Sequence, residues 1–178
     1  MSKLLEIFGK AITVDTAELI WHWLLTIRTQ HQPAPPPWQS ELDEALEHLG
    51  KHELAQAEEK LKFYLFEYPD CLFGRMTAAA LCLYQNEVEE AFKQTQSVYL
   101  RQPSNTMALY TLGYCQERMG HLAEALEFYQ DCIKFKSHLQ LPRLRMAAIY
   151  LQTGRLDKTL REYEMLTTEH PEDISAHV

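Results

Sequence analysis

The chain has 178 residues and a mass of 20.8 kDa, is 46% hydrophobic and 24% charged, and carries a net charge of −8 with a pI near 5.5. This is a globular composition that excludes a disordered or fibrous chain, and the acidic surplus excludes a surface built to neutralise nucleic-acid phosphates. Six glycines speak against a loop-rich all-β protein. Cys71, Cys82, Cys115 and Cys132 are separated by 11, 33 and 17 residues, so no CxxC pair supports a zinc or dithiol site. A chain of this length builds its core without disulfides, and free thiols in a reducing compartment are expected.

In chain order, residues 3–12 (KLLEIFGKAI) and 16–29 (TAELIWHWLLTIRT) read as two helices, with Asp15 or Thr16 capping the second. Glu6, Lys10, Asp15 and Glu18 break any signal-peptide apolar core. The apolar run from Leu19 to Ile27 is far short of the ~20 residues that a membrane span needs. The chain is therefore expected to be cytoplasmic. Leu19, Ile20, Trp21, Trp23, Leu24 and Ile27 cover too much of a helix's circumference for one buried stripe, so something beyond a single packing face should cover them. A cap over the first repeat is one answer. A homodimer contact through Trp21, Trp23 and Leu24 is another, and a membrane-surface or partner helix a third. Pro33, Pro35, Pro36 and Pro37 make residues 33–37 a stiff, extended connector.

From residue 38 the chain repeats itself with a shift of 34 residues. Pro69, Pro103 and Pro171 share one column, and Ala57, Ala91, Ala125 and Thr159 share a small-residue column twelve positions earlier. His52, Asn86, Gly120 and Gly154 form a turn column, with Leu54, Val88, Leu122 and Leu156 two residues later. Ala45, Ala79, Gly113 and Ala147 provide a second small column, and Leu61, Thr95, Tyr129 and Tyr163 an inner one. Small residues on both segments let two helices approach closely. Gly120 and Gly154 suit the left-handed residue that ends a helix, and a proline pushes the residue before it out of the α region. Each unit is thus a helix–turn–helix that must stack on its neighbours to bury its apolar faces.

These columns resemble the tetratricopeptide repeat (TPR) family, best in 106–139 (LGYCQERMGHLAEALEFYQDCI) and 140–173 (MAAIYLQTGRLDKTLREYEML), then 72–105, and in 38–71 from Leu54 onward. The resemblance implies an all-α protein: a right-handed α-α superhelix, a TPR-like solenoid of antiparallel helix pairs, preceded by an N-terminal helical hairpin or cap over 1–32. Residues 174–178, after Pro171, read as the start of a further helix. The chain is on that ground expected to be a fragment of a longer protein, such as a regulatory or assembly segment of an enzyme or membrane-associated complex.

The resemblance also implies a concave groove lined by the first helix of each pair, facing away from the packing stripe. The groove residues would be Phe73, Met76, Ala80, Leu83 and Tyr84; then Met107, Tyr110, Tyr114, Glu117 and Arg118; then Leu141, Leu144, Arg145, Ala148 and Gln152. Of these, Phe73, Met76, Tyr84, Met107, Tyr110, Tyr114, Arg118, Leu144 and Arg145 are the candidate partner contacts. The family's carboxylate clamp uses Lys and Asn, and only Arg145 stands where such a clamp would act, so an apolar or amphipathic helix is the expected ligand. The Trp-rich helix itself, from this chain or a neighbour, is a further candidate occupant.

Chemistry is thin elsewhere. His48 and His52 are four apart but lack a third ligand, so no metal is expected. No serine lies in a nucleophile elbow and there is no phosphate loop, so neither catalysis nor a cofactor is expected. Arg143, Arg145, Arg155, Lys158 and Arg161 form the one basic stretch, readable as a solvated face or as a contact for an acidic partner.

Overall fold

A computed structural model describes residues 16–30, 39–136 and 139–169; the expected helix over 3–12, the connector and residues 174–178 lie outside the described residues. The described residues form nine helices and no strand: α1 (Thr16–Gln30), α2 (Gln39–Gly50), α3 (Leu54–Glu67), α4 (Leu72–Tyr84), α5 (Val88–Arg101), α6 (Thr106–Arg118), α7 (Leu122–Phe135), α8 (Gln140–Gln152) and α9 (Leu156–Glu169). This is the expected all-α repeat fold. Helices α2–α3, α4–α5, α6–α7 and α8–α9 pair closely, and the second helix of each of the first three pairs leans on the first helix of the next.

The four turns inside the pairs are one structure repeated. His52, Asn86, Gly120 and Gly154 all have positive φ, at 58°, 63°, 85° and 74°. Each N–H bonds back three residues, to Leu49, Leu83, Glu117 and Leu151. The next N–H, of Glu53, Glu87, His121 and Arg155, reaches back five, to His48, Cys82, Gln116 and Tyr150, at 2.7–2.9 Å. This pair of bonds is the Schellman closure, which satisfies carbonyls that a helix end otherwise leaves open. In the first pair the helix runs through Gly50, and His52 takes the left-handed position instead. At the other ends, Cys71 Sγ and Asn105 Oδ1 cap α4 and α6 by accepting the N–H of Gly74 and of Ala108.

Both small columns and the inner column are buried throughout, making one face of each helix a core face. Volumes compensate across the pairs. Where the inner residue is Tyr129, its partner is Gly113, and a Cβ there would lie 2.6 Å from Tyr129 Cε1. The column two residues past each turn is half-buried at Leu54, Val88 and Leu122, under the next pair. At α9, after which no first helix comes among the described residues, Leu156 and Leu160 are 60% and 54% exposed.

The four cysteines are free. Burial pushes the thiols of Cys82, Cys115 and Cys132 up to about 12. Cys71 is half-buried, and its sulfur accepts from the Tyr64 hydroxyl at 3.2 Å.

Packing and turn geometry set different costs for the glycines. Gly113→Ala forces a pinned ring to move, at about 1–3 kcal/mol, against at most about 1 kcal/mol regained in helix propensity. Gly154→Ala meets nothing within 4 Å and so costs only the left-handed strain of about 1–2 kcal/mol. Urea unfolding should find both less stable than wild type, with a shifted packing signature in near-UV circular dichroism for Gly113→Ala alone. Thiol titration at pH 8 should find Cys71 reacting in the native protein and all four cysteines only after denaturation; a second fast native thiol would contradict the burial argument.

Candidate functional site: the face of the first helices

The expected groove lies on α2, α4, α6 and α8, whose second helices pack on the opposite side. Repeat-equivalent positions can be compared along it. Leu42, Met76 and Tyr110 are buried while their equivalent Leu144 is half-buried; Leu46 and Ala80 are buried while Tyr114 and Ala148 are half-buried. The same positions thus pass from covered to open along the solenoid.

The cover is α1. It packs chiefly on α4 and touches α2 and α6, all three of them first helices. Ala17, Ile20 and Leu24, spaced i, i+3, i+7, are buried. Ile20 and Leu24 share one core with Leu42, Leu46, Met76, Ala80 and Met107. Trp21 Nε1 donates to the Leu46 carbonyl at 3.1 Å, and its ring fills the space a side chain at position 50 would take: a Cβ on Gly50 would lie 2.3 Å from Trp21 Cζ2. The equivalents of Gly50 in later repeats are Tyr84, Arg118 and Gln152. The glycine therefore answers the indole rather than the turn. Trp23 is half-buried against the same core, and His22 and Thr26 are exposed.

The candidate contacts divide accordingly. Phe73, Met76, Tyr84 and Met107 join the core that Ile20 and Leu24 enter. Tyr110 is buried against Tyr129, ring centres 5.7 Å apart. Beyond α1, Tyr114, Arg118, Leu144 and Arg145 stand near the open stretch, though Arg145 itself is buried. Its Nε and Nη2 each bond Glu117 at 3.0 Å, side chains only 9% and 17% exposed. The Tyr129 hydroxyl donates to the same carboxylate at 2.9 Å. Burial works against the Arg145 charge, but Glu117 together with Tyr129 and Tyr110 outweighs it and raises its proton affinity; burial, with Glu117, pushes the Tyr129 hydroxyl well above its ordinary value. Arg145 also lies over the Tyr114 ring at 5.2 Å. Arg118, exposed, donates to Tyr114 Oη at 2.9 Å and to Asn86 Oδ1 at 2.7 Å. The Arg118–Tyr114 bond is an i, i+4 pair on α6, but spacing within one helix hides Arg145–Glu117, Arg145–Tyr114 and Arg118–Asn86, which join different repeats.

The basic stretch splits. Arg143 pairs with Glu162 and Arg145 with Glu117, while Arg155, Lys158 and Arg161 are exposed. His48 bonds Glu53 at 2.6 Å and His52 packs edge-on against Tyr84. Among the described residues no group of three His, Cys, Asp or Glu could hold a metal, and no helix is long and apolar enough to cross a membrane.

Stacked helix pairs closed by identical turns, with their first helices on one face, define a helical-repeat solenoid. The tetratricopeptide repeat model matches residues 107–135, across α6 and α7, and the fold of the described residues is that of a tetratricopeptide repeat solenoid. A crystal structure of MamA matches 80% of this chain and 83% of its own length, with a TM-score of 0.72 at 16% identity. A tetratricopeptide repeat protein from Parabacteroides merdae ATCC 43184 matches 97% of this chain and 69% of its own, with a TM-score of 0.71 at 18% identity. An RS-1 ArsTM double mutant of MamA gives 0.71 at 10% identity, over 96% and 94%. At these identities the likeness is one of fold. No curated protein matches the chain by sequence.

The Glu117 network yields a prediction. Glu117→Gln leaves the Arg145 charge buried without its counter-charge and should cost about 3–5 kcal/mol. Tyr129→Phe, which removes one hydrogen bond to that carboxylate, should cost about 1–2 kcal/mol. Equilibrium urea unfolding of both variants checks the order; equal losses would mean that the ion pair is not what matters there.

Proposed function

We propose that the chain is a non-enzymatic scaffold whose first-helix groove takes an apolar or amphipathic helix from a protein partner. The observation that carries this reading is that a helix, α1, already packs on that face by apolar anchors at i, i+3 and i+7, the spacing by which amphipathic helices enter grooves. The partner contacts are drawn from Phe73, Met76, Tyr84, Met107, Tyr110, Tyr114, Arg118, Leu144 and Arg145. Arg118 is exposed and Tyr114 and Leu144 are half-buried, as are Phe73 and Tyr84, which pack on the core that Ile20 and Leu24 enter; Arg145 acts by holding Tyr114. The working unit is residues 38–173 as four repeats, after an N-terminal element (1–32) and a connector (33–37). Four free cysteines favour a reducing compartment and hence the cytoplasm.

The test is partner capture by the full chain, with bound proteins identified by mass spectrometry. Tyr114→Ala combined with Leu144→Asp should lower capture of the wild-type partner at least about tenfold, since a buried hot spot is worth about 2 kcal/mol or more. Phe66→Ala, at an 82% exposed site on the second-helix side, should leave capture unchanged. A folded groove variant that captures the same partner at wild-type level overturns the reading.

A further inference from the structure

We infer that α1 is a displaceable occupant of the groove, tethered to it in cis, and that the partner helix carries α1's own anchor pattern: a small residue at i, aliphatic residues at i+3 and i+7, and an indole at i+4. This rests on the groove function proposed for the chain and adds both the partner's chemistry and the way access is controlled.

Three observations support it. First, α1 stands outside the repeat. The columns that hold the pairs together, Ala57, Ala91, Ala125 and Thr159 with Ala45, Ala79, Gly113 and Ala147, are buried in all four pairs, although α1 packs chiefly on α4. Its departure would uncover the groove side of α4, including Met76 and Ala80, and leave the stack closed. Second, its contact is that of a ligand: Ala17, Ile20 and Leu24 enter the face and His22 and Thr26 look outward. Third, the seat is shaped for one side chain. The notch at Gly50 admits the Trp21 ring, and the Leu46 carbonyl accepts its N–H. A phenyl ring could fill the notch but offers that carbonyl no donor, so tryptophan is selected at this position.

Eight residues, four of them proline, join α1 to α2. A tether this short holds its helix at an effective concentration of about millimolar. A partner at micromolar concentration therefore competes poorly until α1 is weakened or the partner's helix is the better fit.

A fluorescein-labelled peptide of residues 16–30 is the probe, and fluorescence polarisation the readout, with the full chain in every case. Wild type should bind it weakly. Ile20→Asp combined with Leu24→Asp, which expels α1, should bind it at least about tenfold more tightly. Adding Gly50→Ala to that background should take most of the gain away, because the notch is closed to the peptide's indole. Leu24→Ala serves as a milder opening variant if the double aspartate variant does not fold, and should give a smaller gain of the same sign. Equal binding by wild type and the folded opening variant overturns the tethered-occupant inference while the groove reading stands. No binding by any folded variant overturns both. A full gain that survives Gly50→Ala removes the indole requirement and with it the proposed partner pattern.

Discussion

Everything in this fold depends on how closely the two helices of a pair can approach. Small residues face each other along the pair, at Ala45, Ala79, Gly113 and Ala147 on the first helices and Ala57, Ala91, Ala125 and Thr159 on the second. Burial there removes apolar surface at about 25 cal/mol per Å². Close approach also lets a third column, Leu61, Thr95, Tyr129 and Tyr163, reach across and lock the pair. The Gly113–Tyr129 contact is the tightest case: a tyrosine ring stands against the one partner with no side chain. Because the same contact recurs every 34 residues, the pairs stack with the same offset, and all first helices come to one face. The groove is a consequence of that repetition rather than a separate feature.

On that face the repeats are equivalent in backbone but not in surroundings. Leu42 and Met76 are buried in the core that the α1 anchors enter, Tyr110 is buried against Tyr129, and Leu144 is half-buried beside Tyr163 and Leu166. An uncovered groove lined by Leu, Met and Ala would leave a contiguous apolar surface of the kind that marks an interaction site. Helix α1 removes part of that surface from water. Its tryptophan is accommodated by a glycine at the end of α2, where the other repeats carry large side chains. One local difference in one repeat thus makes the first-helix face asymmetric.

Much of the fold is legible from one-dimensional periodicity, because the features that set it are local and recur. The turn column aligns by register even where its residues are His52 and Asn86, which take positive φ less readily than glycine. Gly50 is the misleading residue: as a turn former it falls two positions early, since it responds to an indole from a helix 29 positions upstream. The excess apolar surface of α1 is legible as a need for cover. Periodicity tells that a face is buried and not against what, so the groove as its seat is one option among several. The charged residues are least legible. Arg145 resembles a ligand contact by its place on α8, but Glu117, its partner, lies 28 residues away in the preceding repeat, outside any helix-spacing rule.

That ion pair also ties together the part of the first-helix face that lies beyond α1. Glu117 comes from α6, Tyr129 from α7 and Arg145 from α8, so one carboxylate ties three successive helices. A buried pair of this kind adds little net stability over apolar side chains of similar volume, since both charges must be desolvated. What it does impose is direction: the fork of the guanidinium meets the carboxylate in one geometry, whereas apolar contacts allow sliding. Arg145 then lies over Tyr114, and Arg118 bonds the Tyr114 hydroxyl while reaching Asn86 in the turn of the preceding pair. Tyr114 is thereby held from both sides, at the position where α1 no longer covers the face. An aromatic side chain fixed before a partner arrives loses little conformational entropy on binding. The buried charges thus keep the open part of the groove ordered in the absence of the apolar cover that orders the rest.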